Sequence, residues 1–216
     1  MKRREAIKGL GGSLGILFLT PTVFVLLESC AEEKVNWVPS FFSEEQALFL
    51  NRIADVILPK TEDSPSATEV NVPQFIDKFA SEVLELKEQD VLKKGVSNFG
   101  NLVMKAANTE VLDDLKPKDI EPVFGRILKK TKEENETIMK SFNEAIENET
   151  PLSEETTTYV ALHAIRRLCI FAYRNSEVVG EDIMAYKPVP TKQEGCIDID
   201  ETNGKAYALP LRKFRF

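Results

Sequence analysis

The chain has one histidine, His163, and it stands beside Arg166 and Arg167, with Arg174 two turns further on. At about 100° per residue these four fall on one helical stripe, together with Tyr159. An imidazole can move protons near neutral pH, and guanidinium groups grip anions through paired N–H donors. One reading is therefore an enzyme, with His163 as its base and the arginines holding an anionic substrate. Two points weigh against it. Neighbouring positive charge pushes an imidazole pKa down, and no carboxylate has a spacing that would orient the ring. The same residues suit docking better, since arginine and tyrosine dominate many protein interfaces.

Other chemistry is sparse. There is no Cys-x-x-Cys and no Cys-x-x-Cys-His, and a single histidine excludes most metal clusters. No Gly-x-Ser-x-Gly elbow or phosphate loop occurs. Asp55 lies among apolar residues, and a locally bonded carboxylate explains it without catalysis. Glu62, Asp63 and Glu69 lack the alternation and central glycine of a calcium loop. The cysteines are Cys30, Cys169 and Cys196. A Cys169–Cys196 disulfide would fasten the C-terminal tail across the histidine-bearing helix. Two free thiols, or a bridge from Cys196 to a partner, are the alternatives.

The element that positions His163 is apolar from Tyr159 to Tyr173 at every place except His163, Arg166 and Arg167. Neighbouring helices surround such a helix, which leaves one polar seam. Ser153 caps it, and Glu154 and Glu155 suit the positive end of its dipole. Full burial of three arginines without counter-charges would be costly, so the seam either meets water or pairs with carboxylates of this chain or a partner. At least one internal pair is expected, and the remaining arginines are free to dock.

Upstream, Ser43 and Gln46 form a capping box that starts a helix ending before Pro59. A helix from Pro73 carries Phe75, Ile76, Phe79, Ala80, Val83, Leu84 and Leu86 at helical spacing. The next, from about Asp90 to Ala107, turns Leu92, Val96, Phe99, Leu102, Val103 and Ala106 inward, with Gly95 and Gly100 marking close helix packing. Two more span Asp119 to Lys130 and Glu133 to Glu147. The fold expected is all-α: a single helical domain of about five or six helices over 43–185, with an extended, Pro-containing tail over 186–216.

With 216 residues, a net charge of −7 and 29% charged residues, the chain has a globular composition and lacks the basic face of a nucleic-acid binder. Its first thirty residues read differently. Lys2, Arg3, Arg4 and Lys8 precede a mostly apolar run of about 14 residues from Leu14 to Leu27, short of the ~20 that span a bilayer. Arg3-Arg4-Glu5-Ala6-Ile7-Lys8 resembles a twin-arginine signal, the route for proteins exported already folded. Leu27-Glu28-Ser29-Cys30 resembles a lipobox, which would make Cys30 the acylated first residue of the mature protein. Residues 31–42 then form a tether whose Trp37, Phe41 and Phe42 pack onto the domain. A folded-export signal on a chain without a cofactor site suggests that a partner carries the cofactor.

Two blocks carry a resemblance. Ile53-Ala54-Asp55-Val56-Ile57-Leu58-Pro59-Lys60-Thr61 with Val72-Pro73-Gln74-Phe75-Ile76-Asp77 is one. Tyr173, Ser176-Glu177 and Gly180, followed by Tyr186-Lys187-Pro188-Val189-Pro190 and Glu194-Gly195-Cys196, is the other. Together with the twin-arginine start they resemble the gluconate 2-dehydrogenase subunit 3 family. Ser66, where the family has glycine, and Arg174-Asn175 depart from its pattern. The resemblance implies a cofactor-free small subunit of a membrane-associated sugar or sugar-acid dehydrogenase. Its flavoprotein partner holds FAD, and a cytochrome c subunit often takes the electrons. The small subunit would escort the folded flavoprotein to the periplasmic side, docking it through His163, Arg166, Arg167, Arg174, Tyr186, Pro188 and Pro190. The alternative is a free-standing envelope lipoprotein that binds a ligand or scaffolds other proteins.

Overall fold

The computed structural model describes residues 35–187 and 196–208. Among them are six α-helices: α1 (Glu44–Ile57), α2 (Val72–Glu82), α3 (Leu86–Ala107), α4 (Pro117–Leu128), α5 (Lys132–Asn148) and α6 (Glu154–Arg174). No strand occurs among the described residues, so the fold is all-α, as composition and periodicity require.

Local chemistry sets the helix starts. Ser43 Oγ accepts from Gln46 N at 3.2 Å while Gln46 Oε1 accepts from Ser43 N at 3.4 Å, closing the capping box of α1. Thr131 and Glu134 do the same for α5, and Ser153 Oγ takes Thr156 N at 3.1 Å to open α6. Pro73 and Pro117 sit in first turns, where a missing N–H costs nothing.

One boundary differs from the periodicity. The chain breaks at Val83–Glu85 and α3 begins at Leu86, because Glu85 and Glu88 build a capping box there, with Glu85 N donating to Glu88 Oε2 at 3.0 Å. Only Leu84 of that corner turns inward; Val83 and Leu86 are 61% and 82% exposed. Ala106, expected to turn inward, lies outside the core, and so does Leu102. Leu102 shares the helical phase of Gly95 but sits about two turns beyond the point where α3 meets α6.

That meeting point fixes the architecture. A Cβ on Gly95 would overlap the Cβ of Ala161 and stand 2.9 Å from Thr157 O, so only glycine lets the two backbones approach. All of the other five helices pack on α6. Its inner residues Ala161, Leu162, Ile165, Leu168 and Cys169 have no exposed surface.

Two carboxylates lock the irregular segments. Asp77, on the inner side of α2 and 1% exposed, accepts from Ser40 N (2.6 Å), Ser40 Oγ (2.7 Å), Phe41 N (3.1 Å) and Phe42 N (2.9 Å). Phe41 and Phe42 are thereby buried, and Val35 and Trp37 pack on the core beside them. Asp55 accepts from Thr68 N at 3.0 Å and from Thr68 Oγ1 at 2.8 Å, which pins the loop between α1 and α2. The local reading of Asp55 is the one the structure adopts.

After α6 the chain makes a π turn (Val179–Ile183) and later a 3-10 turn (Ile199–Thr202). Ala185 N donates to Ala206 O at 2.9 Å and Ala208 N to Ala185 O at 3.0 Å, a parallel bridge between Ala185 and Tyr207. Among the described residues the chain after α6 therefore closes as a clasp at Ala185 rather than running on as a single extended strap. Asp198 caps the short turn by accepting from Asp200 N, which gives this polar stretch a local reason to bend.

Candidate docking surface

The seam of α6 begins at Tyr159. Its ring is 3% exposed, and its hydroxyl donates to Asn135 Oδ1 of α5 at 2.9 Å. Burial pushes its pKa up. One turn later the His163 ring lies against it, centroids 6.0 Å apart and planes 19° from parallel. His163 is half-buried, and its pKa is lowered, first by burial and then by the Arg167 and Arg166 charges. Near neutral pH it is a neutral ring on an aromatic ledge, poorly placed to act as a base.

Beyond it Arg166 and Arg167 are exposed and Arg174 is half-buried. No carboxylate among the described residues forms an ion pair with Arg166 or Arg174. For these two no described carboxylate takes up the charge, and contact with solvent spares the fold the cost of a buried one. Between Glu155 and Glu177 the chain has no acidic residue, so a protein of net charge −7 turns a basic face outward here.

Beside this face stands an aromatic ridge that periodicity assigns to the core. Phe75 of α2 is 37% exposed, with its ring 5.8 Å from Phe79 and 5.9 Å from Phe171 of α6. Its phase was legible: Val72, Ile76 and Ala80 form the buried stripe of α2, and Phe75 falls outside it. Asp77 carried no assigned role in the sequence. The signal for it was an acid in phase with the buried stripe, one residue after Ile76.

The two sequence blocks meet in space. Tyr173 Oη donates to Pro65 O at 2.7 Å across 108 positions, joining the end of α6 to the loop that Asp55 pins. Tyr186, 51% exposed, follows on the clasp. Arg3, Arg4, Cys30, Pro188 and Pro190 lie outside the described residues.

The Cys169–Cys196 bridge is not formed. Cys169 is a free thiol sealed in the core of α6, its pKa raised by burial and by the nearby Asp55 charge, while Cys196 is free and exposed. Cys169 has no accessible surface on a fully packed helix face, which leaves no path for a tail thiol.

An open groove of about 600 Å³ lies elsewhere, between the start of α1, α3 and the 3-10 turn Leu112–Asp114. Val96, Met104 and Leu112 line it beside Glu45, Glu110 and Asp113, and none of the sequence-predicted site residues borders it. Among the described residues no three His, Cys, Asp or Glu side chains gather as a metal site would need.

No curated protein and no solved structure significantly matches the chain. A family model does, over residues 44–191, from the first residue of α1 to beyond Tyr186. Its description is gluconate 2-dehydrogenase subunit 3, the family to which this chain belongs.

Proposed function

We propose that this protein is the non-catalytic small subunit of a gluconate 2-dehydrogenase-like complex, and that it escorts a folded flavoprotein subunit across the membrane. The family makes it a subunit of such a complex. The observation that carries the docking role is the outer face of α6: a helix packed by five others, on an acidic chain, that keeps its arginines on the outside. Fold stability does not ask for arginine there, whereas an interface does.

In this reading the flavoprotein holds FAD and performs the oxidation, and a cytochrome c subunit accepts the electrons. Arg3 and Arg4 address the pair to the twin-arginine route, and acylated Cys30 holds it on the periplasmic side of the membrane. A diacylglycerol plus an amide-linked chain supplies the two anchors that stable attachment needs. His163, Arg166, Arg167, Arg174 and Tyr186 dock the partner together with Pro188 and Pro190.

The test is export. Replacing Arg3 and Arg4 by lysines is expected to leave both this subunit and its flavoprotein in the cytoplasm. Normal delivery of both to the periplasm would overturn the escort reading and point to the general secretory route.

A further inference from the structure

The described chain opens on a segment that is held in place. Val35 and Trp37 pack on the core, and Asp77 accepts from the backbone N–H groups of Ser40, Phe41 and Phe42, so residues 35–42 belong to the domain and are not a loose leash. Val38 stands among them 92% exposed, more than any other large apolar side chain described. Pro39 disfavours helical backbone at Val38 and keeps it in an irregular stretch. A single exposed valine is ordinary on a protein surface. What sets this one apart is its distance along the chain from Cys30.

Four residues, Ala31 to Lys34, separate Cys30 from Val35. Five trans peptide steps span roughly 18 Å at most, whatever conformation they take. With Cys30 acylated, the reading on which this rests, Val35 is confined to that distance from the lipid surface. A unit of the size of 35–216 measures roughly 40 Å across, so such a tether cannot bring its opposite side to the bilayer. We infer that the face carrying residues 35–42 turns to the membrane, with Trp37 and Val38 resting at the boundary of headgroups and acyl chains. A tryptophan suits that boundary, since its ring is apolar and its N–H can bond to headgroups. Beside them Lys93 Nζ lies 4.6 Å from the Phe41 ring centroid, while Glu44 and Glu45 open α1 just after Phe42. The face thus carries both signs, which suits a zwitterionic lipid surface better than a strongly anionic one.

Trp37 is the chain's one tryptophan, so its own fluorescence reports on this contact. The protein recovered from membranes is reconstituted into phosphatidylcholine vesicles, with or without a lipid that carries a nitroxide near its headgroup. Emission is expected to fall at least about twofold in the nitroxide vesicles, as it does for a ring held at the interface. Val38→Ser, at an exposed position outside the core, is expected to restore much of the lost signal. The mass of the N-terminal peptide, measured on the same sample, separates the two ways of failing. Equal emission in both vesicles, or quenching indifferent to Val38→Ser, would overturn the inference, while an acylated Cys30 would leave the anchor itself standing. An unmodified Cys30 would overturn both.

Discussion

On its inner side α6 presents Leu162, Ile165 and Leu168 without exposed surface, while one residue further on Arg166 and Arg167 stand in solvent. The two sides obey different constraints. Inside, every atom is spoken for by packing, down to the missing Cβ of Gly95 against Ala161. Outside, the fold would accept almost any polar residue, so the choice of arginine there reports on something beyond the fold. The inner face explains why the helix exists, and the outer face is where function has room to act.

The contrast should be largest in stability. Leu162→Ala removes a fully buried side chain from the helix that all the others touch, and is expected to cost about 2–5 kcal/mol of unfolding free energy. Denaturant titration reads this directly. A cost inside the range of ordinary surface substitutions would mean that α6 is not the centre of the core. Gly95→Ala acts on the same contact from the other side. It forces the α3 and α6 backbones apart and is expected to cost about 1–3 kcal/mol.

Much of this architecture was legible because helices advertise themselves by period and cap. Ser43 with Gln46 and Ser153 with its following glutamates each have one physical meaning that needs no distant partner, whereas Gly95 marked a close helix approach without naming the helix. The residues that misled are those whose fate depends on a neighbour elsewhere in the chain. Val83 and Leu86 continue an apolar period, yet the Glu85–Glu88 box restarts the helix and turns both outward. Asp77 is an acid on a buried stripe until the backbone of 40–42 is placed over it. Cys169 and Cys196 are two thiols in a sequence, and only three-dimensional packing shows that one of them is sealed. The seam itself was visible as a stripe, but whether it met water or buried carboxylates was a tertiary question.

On the outer face the expected result reverses. Arg166→Ala together with Arg174→Ala should change unfolding free energy by no more than about 0.5 kcal/mol, since neither side chain makes an ion pair among the described residues. The same pair of substitutions should weaken co-purification of the flavoprotein subunit by at least about tenfold if these arginines sit at the centre of its interface. A large loss of stability would return them to the fold. Intact co-purification would move the docking surface away from α6.

The smallest effect expected belongs to His163, at the border between the two faces. Its pKa lies below the ordinary 6.5, through burial first and the charges of Arg167 and Arg166 second. The folded protein therefore binds this proton less readily than the unfolded chain does. Stability from this group is fully present above the unfolded value and is lost as pH falls from about 6.5 through the lower folded pKa. The exposed carboxylates act in another window. Glu69, held low by the Lys60 hydrogen bond, Glu134 by the Thr131 backbone, and Glu149 by Lys87 all lose their contribution below the ordinary 4.5. A urea midpoint followed between about pH 7.5 and pH 5 should thus decline in the wild type, and His163→Gln should flatten that decline while leaving the steeper fall below about pH 4.5 in place. An unchanged slope in the variant would show that the ring is better solvated than its place beside Tyr159 implies, and would shift it wholly onto the outer face.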